Sequence, residues 1–254
     1  EDGIHLAGYY KPNAIMLDIS LPGIDGWEVL DWLKENSETR HIPVQFISAK
    51  DETVNALRRG AVGFLMKPVD ANKLDQAFKR VENVAQKPVK SILIVEDNDV
   101  QRRTVAELVG GKDIEILSAD SGKQTLEILQ EKTPDCIVLD LGLGDISGVE
   151  LLEKIRDLKS DYRIPIIIYT GRDLTRKEET ELKKFAESII IKGARSPERL
   201  LAETTLFLHS VEQKMPKKKQ KMLKMAYNKD EIFKDKKILL VDDIFDTGKT
   251  VNAL

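Results

Sequence analysis

Short apolar runs recur along the chain without polar alternation, and each is followed by an amphipathic stretch. Residues 91–95 (Ser-Ile-Leu-Ile-Val) read as a buried strand, 100–109 as an amphipathic helix stopped by Gly110-Gly111, and 114–119 as a second strand. Ser121 is placed to cap a helix running to about Glu131. Strands at 135–140, 164–170 and 188–192 then alternate with helices at 148–158, 175–186 and 197–211. The strands are Ile-, Val- and Leu-rich, as expected when both faces of a sheet are covered. Five strands alternating with helices predict an α/β doubly wound parallel sheet.

Residues 1–86 repeat this plan but enter it late. A helix to about Tyr10 precedes strands at 14–18, 44–48 and 63–67 and helices at 26–35, 52–59 and 71–84. Two strands and one helix of the plan are absent from this copy, so the expected fold is a tandem of doubly wound five-stranded units, the first truncated at its N-terminus. One phrase marks the register. Asp18-Ile-Ser-Leu-Pro-Gly-Ile-Asp-Gly-Trp-Glu-Val-Leu30 returns as Asp140-Leu-Gly-Leu-Gly-Asp-Ile-Ser-Gly-Val-Glu-Leu-Leu152. A hydroxyl closes the next apolar run in each copy (Ser48, Thr170) and a lysine closes the one after it (Lys67, Lys192).

Ligands of doubly wound sheets bind at the carboxyl ends of the strands. Glu96, Asp97, Asp140, Thr170 and Lys192 all fall there in the middle unit. Packed carboxylates repel unless cations join them. Lys192 supplies one positive charge, and a hard ion such as Mg²⁺, content with few carboxylates plus backbone and water oxygens, suits the rest. Asp140 is then a carboxylate nucleophile for phosphoryl transfer, with Thr170 and Lys192 available to phosphoryl oxygens.

The bulk numbers narrow the function classes. The 254 residues are enough for about two domains, with 41% hydrophobic and 33% charged residues. A net charge of −3 gives no global basic field for nucleic acid. No apolar stretch approaches the ~18 residues of a membrane span. The one cysteine, Cys136, lies in an apolar strand and reads as a core residue of a protein in a reducing compartment, so a cytoplasmic location is expected. His5, His41 and His209 sit in ordinary contexts without a glycine-rich nucleotide loop, and no kinase catalytic segment is read in the chain.

The middle unit resembles a response-regulator receiver domain over its whole length, and residues 1–86 resemble the latter two-thirds of another. The resemblance implies a flavodoxin-like fold, with Glu96 and Asp97 as the acidic pair, Asp140 as phosphoacceptor, Thr170 as switch hydroxyl and Lys192 as the strand-end lysine. Asp18, Ser48 and Lys67 match in the first copy. A backbone metal ligand falls on Gly142, and on Ser20 in the first copy. The switch aromatic position falls on Phe64 and on Ile189, where the aromatic is missing. Lys67-Pro68 matches a bond that is cis in many receivers, whereas Lys192-Gly193 is expected to be trans. The first copy has no acidic pair within this chain, so no phosphorylation of Asp18 is expected in it. The resemblance further implies two-component phosphorelay signalling with Mg²⁺, a histidine kinase or histidine phosphotransfer module as partner, no membrane contact by this segment and a homodimer as one compatible assembly. The order of units and the segment beginning Ser196-Pro-Glu-Arg resemble the C-terminal receiver array of a bacterial hybrid sensor histidine kinase.

The expected boundaries are a receiver at 1–86, a linker at 87–90, a complete receiver at 91–212, a lysine-rich solvated linker or short helix at 213–235, and a third unit at 236–254. The third unit opens with Asp242 and Asp243 as its own acidic pair. Residues 238–250 are also similar to the ribose-phosphate-binding motif of phosphoribosyltransferases. A third reading makes the receivers degenerate scaffolds that only dock proteins.

Overall fold

The structure, a computed structural model, describes residues 2–50, 52–158 and 163–227. The third unit, with Asp242 and Asp243, lies outside them. The first half contains α1 (Asp2–Tyr10), β1 (Ile15–Asp18), α2 (Gly26–Glu35), β2 (Val44–Ser48), α3 (Thr53–Arg58), β3 (Gly63–Met66) and α4 (Ala71–Gln86). The second contains β4 (Lys90–Val95), α5 (Asp99–Val109), β5 (Ile114–Ala119), α6 (Gly122–Glu131), β6 (Cys136–Leu139), α7 (Gly148–Leu158), β7 (Ile166–Thr170), α8 (Arg176–Leu182), β8 (Ser188–Ile191) and α9 (Ser196–Phe207). A short 3₁₀ turn (Glu212–Lys214) leads to α10 (Lys217–Tyr227).

Both sheets are parallel. The larger has strand order β5-β4-β6-β7-β8, and the smaller β1-β2-β3 corresponds to its last three strands. The larger order is the flavodoxin-like one, whose switch point lies between β4 and β6. Neighbouring strand residues alternate between two cores, because side chains alternate across a sheet. Leu93, Val95, Ile137, Leu139, Ile166 and Ile168 face α6 and α7, while Ile92, Ile94, Cys136, Val138 and Ile167 face α5 and α9. In the smaller half Leu17, Val44 and Phe46 pack on Val29, Leu30 and Leu33 of α2. Each fully buried aliphatic or aromatic side chain contributes roughly 1.5–3 kcal/mol.

Local chemistry sets the helix starts. Asn98 accepts from the Gln101 N–H and Ser121 from the Gln124 N–H, as capping residues should. Thr175 and Glu178 form a reciprocal capping box at α8. The glycine shared by the repeated phrases opens α2 and α7 directly beneath the strand-tip loops. A Cβ at Gly26 would lie 2.3 Å from the Asp18 carbonyl oxygen, and one at Gly148 would lie 2.4 Å from Leu141 Cδ2.

Of the two expectations for the lysine-rich stretch, solvated linker or short helix, its described part contains a helix, α10. Leu223 of α10 is buried against Leu201 and Ala202 of α9. Met222, Leu223, Ala226 and Tyr227 of α10 share one face, which gives it somewhere to dock, while Lys217, Lys218, Lys221 and Lys224 are exposed. The 3₁₀ turn and α10 also bridge the halves. Arg40 forms an ion pair with Glu212 at 3.1 Å, the two side chains being only 4% and 7% exposed. The same guanidinium lies 3.5 Å from the centroid of the Tyr227 ring. Among the described residues no helix is long and apolar enough to cross a membrane.

Candidate functional site

Asp140 immediately follows β6, at the switch point of the larger sheet. Its N–H still bonds the Val95 carbonyl at 2.9 Å, so the sheet fixes its backbone. One carboxylate oxygen accepts from the Gly142 N–H at 3.2 Å, a local turn that aims the side chain. The other accepts from Lys192 Nζ at 2.8 Å. Lys192 follows β8 and its N–H bonds the Thr170 carbonyl at 2.7 Å. Its ammonium also donates to Glu96 at 2.7 Å and to the Gln101 side-chain oxygen at 2.7 Å. All three ammonium protons are thus matched. The Tyr169 ring stands 5.4 Å from the same nitrogen.

Electrostatics separate the two carboxylates. Burial pushes Glu96 upward, and Lys192 only partly offsets it. Burial also acts upward on Asp140, but Lys192, the Thr170 hydroxyl and the Gly142 N–H together hold it below the ordinary aspartate range. Burial acts downward on Lys192, yet the Asp140 and Glu96 carboxylates outweigh it and raise the ammonium. Asp140 therefore stays ionised near neutrality. Thr170, buried at the tip of β7, accepts from the Arg172 N–H at 3.2 Å.

Asp97 is exposed beside Glu96, outside these hydrogen bonds. Among the described residues no three His, Cys, Asp or Glu side chains gather closely enough to hold a metal by themselves. The donor set still suits Mg²⁺, which binds through one or two carboxylates and fills its shell with water and phosphate oxygens. Asp97 has no ion-pair partner in the described structure, and Gly142 sits against Asp140, 3.7 Å separating its ideal Cβ position from Oδ1.

The first half repeats the layout. Asp18 Oδ1 accepts from the Ser20 N–H at 3.1 Å, Ser48 Oγ from the Lys50 N–H at 3.4 Å, and the Lys67 N–H bonds the Ser48 carbonyl at 2.7 Å. Lys67 pairs with Asp18, and that bond is the main cause of the lowered Asp18 pKa. Phe64 and Ile189 both pack partly buried against their respective cores. Lys67-Pro68 is cis, whereas Lys192-Gly193 is not among the cis bonds of the described residues.

Two participants carry little sequence signal. Gln101 reaches Lys192 from the first turn of α5; a polar residue four positions after Asp97 is the available sign. Tyr169 bonds Ser196 through its hydroxyl at 2.9 Å, tying β7 to the start of α9. Its place beside Thr170 is visible in the chain, but its partner is not.

The family model described as the response regulator receiver domain matches residues 1–79 and 92–205. The response regulator PleD of Caulobacter vibrioides is 25% identical over 191 residues, covering 64% of this chain and 42% of PleD. The chain thus spans less than half the length of that relative. The polar-differentiation response regulator DivK of Brucella ovis is 30% identical over 108 residues, covering 42% of this chain and 88% of DivK. A CheY-like receiver domain protein of Methanospirillum hungatei, of known structure, is 24% identical, covers 50% of this chain and 99% of its own, and has a TM-score of 0.43. Matched on both copies of its repeat, the chain belongs to the response regulator receiver domain family.

Proposed function

We propose that Asp140 carries a phosphoryl group received from a phosphohistidine, on a histidine kinase or a histidine phosphotransfer module, within a two-component phosphorelay. The observation that supports this most is Lys192 bridging Glu96 and Asp140 at 2.7 and 2.8 Å beside the Thr170 hydroxyl. An Asp140 carboxylate oxygen attacks phosphorus, the phosphorus–nitrogen bond breaks, and its electron pair returns to the imidazole nitrogen. Lys192 and the Thr170 hydroxyl then face the new phosphoryl oxygens. Glu96, Asp97, Asp140 and the Gly142 carbonyl would hold Mg²⁺, which supplies charge neutralisation at the phosphoryl group.

The added charge of about −1.5 to −2 competes with Glu96 for Lys192 and draws Thr170 inward. Moving an equilibrium from 1:99 to 99:1 takes about 5.5 kcal/mol, and one charge-assisted hydrogen bond supplies roughly 1.5–3. Thr170 therefore needs help. With isoleucine at position 189, Ser196 links the site to α9, through the Tyr169 hydroxyl and through Gly193 beside Lys192, so the signal leaves through it. Residues 1–86 and 91–212 form the two receiver units. Asp18 has Lys67, the Ser20 turn and Ser48 around it, as Asp140 has Lys192, the Gly142 turn and Thr170. The array belongs to a cytoplasmic hybrid histidine kinase, a reading supported by the order of its units.

The test is incubation with a small-molecule phosphodonor and Mg²⁺. Acid-labile phosphate should appear on the wild type and on Asp18→Asn, and be absent from Asp140→Asn. Equal labelling of wild type and Asp140→Asn would overturn the proposal. Phosphate on neither, with Mg²⁺ binding also undetectable, would favour the scaffold reading.

A further inference from the structure

At the opposite ends of the strands from Asp140, the two halves enclose a cavity of about 700 Å³. This falls within the ~300–1,000 Å³ of small-molecule sites. Its walls are the turn before β1, the loop before β2, the 84–90 connection, the α5–β5 turn, the end of α9 and the approach to α10. Both halves therefore contribute, and the buried Arg40–Glu212 pair and the packing of α10 on α9 hold the walls together.

The lining is strongly one-signed. Among the described residues its lining includes six lysines (Lys11, Lys87, Lys90, Lys112, Lys214, Lys219) and one acidic residue, Asp113. Lys90 and Lys219 direct their ammonium groups at the carbonyls of Val84 and Gly110, which neutralise no charge. Lys112 and Lys214 take part in no ion pair among the described residues, unlike Lys11 and Lys87, which pair with Glu38 and Asp135 outside the cavity wall. Two further groups await a partner. His41 and His209 both line the cavity, and the Nδ1 atom of each is buried without a hydrogen bond. Burial and the surrounding positive groups push both histidines below their ordinary pKa. A low-dielectric cleft lined by one sign of charge concentrates ions of the other sign.

We propose that this inter-unit cavity binds a small anion carrying two or more linked phosphates. Lysines are compact point charges suited to phosphate, and several of them favour several phosphates. Among the described residues no Phe, Tyr or Trp lines the cavity, so no large ring there stacks a nucleobase. The ligand class is therefore the diphosphate moiety itself rather than a particular nucleotide. Because both halves supply lysines, the bound anion would stiffen their relative placement. The site is independent of Asp140 and of the receiver chemistry.

Inorganic pyrophosphate is the probe, titrated calorimetrically into the full chain in chelator, without Mg²⁺. Saturable 1:1 binding is expected, stronger than for orthophosphate and weakening with salt. Lys112→Glu with Lys214→Glu should weaken it by roughly tenfold or more, while Asp140→Asn leaves it unchanged. Lys112→Ala with Lys214→Ala carries the same test should the charge reversals fail to fold. Saturable binding untouched by both lysine pairs, or its absence in the wild type, overturns the proposal. So does tighter binding of a single-stranded oligonucleotide that the lysine pairs do not weaken.

Discussion

Asp18 and Asp140 stand on the same scaffold, with the same turn bond, the same hydroxyl position and the same lysine, yet in different surroundings. The Asp140 side chain is 12% exposed and Lys192 19%, against 30% for Asp18 and 46% for Lys67. β4 and α5 make the difference. They bring Glu96 and Gln101 to Lys192 in the second half, and the first half has no such neighbours in the described structure. A charge pair gains strength as water is excluded. Copying the three motif residues is therefore not the same as copying the site; the neighbouring strand sets the dielectric in which they work.

The largest expected effect comes from separating the halves. Glu212→Ala leaves Arg40 charged and buried, and should cost about 3–5 kcal/mol. Both tryptophans, Trp27 and Trp32, lie on α2, so their fluorescence reports the first half alone. Its unfolding should move well ahead of the second half's, followed by circular dichroism; coincident transitions at unchanged denaturant would contradict the bridge.

Next in size is a pH effect confined to the first half. Lys34 donates to the carbonyls of Arg40 at 3.0 Å and Ile42 at 2.7 Å, and burial pushes its pKa from 10.5 down to about 7. Between those values the unfolded chain binds the proton that the folded chain has lost. Stability should accordingly be lowest below pH about 7 and climb towards 10.5, by at most ~1.4 kcal/mol for each pH step of one. The same fluorescence measured across that window checks it, and Lys34→Met should flatten the rise.

The paired lysines give the most direct contrast. Lys192→Met removes charge-assisted bonds of roughly 1.5–3 kcal/mol, so phosphate incorporation at Asp140 should slow about 10–100-fold. Lys67→Met should leave that rate unchanged. Radiolabel kinetics decide between them, and equal slowing by both would erase the distinction between the copies. The smallest effect concerns the shared glycine. Gly26→Ala meets backbone at Asp18 and should cost ~1–3 kcal/mol, whereas Gly148→Ala meets the movable end of Leu141 and should cost less. Denaturant melts of the two variants rank them.

Much of this is legible in the chain. Uniformly apolar runs announce buried parallel strands, and the repeated aspartate, hydroxyl and lysine mark three strand tips, because chain order and the sheet's handed topology dictate where successive strands end. Ser121 reads as a cap from its place before an amphipathic run. Element ends are less legible: β7 begins at Ile166, two residues later than its apolar run, because Ile164 and Pro165 form the approach to the strand. Proline lacks the N–H that the ladder needs.

Residue order by itself determined the doubly wound architecture, its tandem repetition and the side chains delivered to the strand tips. Those follow from periodicities of two and 3.6 residues, which are local. Only tertiary packing decided that Gln101 and Tyr169 join the site, that α10 docks on α9 and that, among the described residues, six lysines line one cavity. Each of these depends on which distant elements meet and how much water they exclude, and no local pattern encodes that.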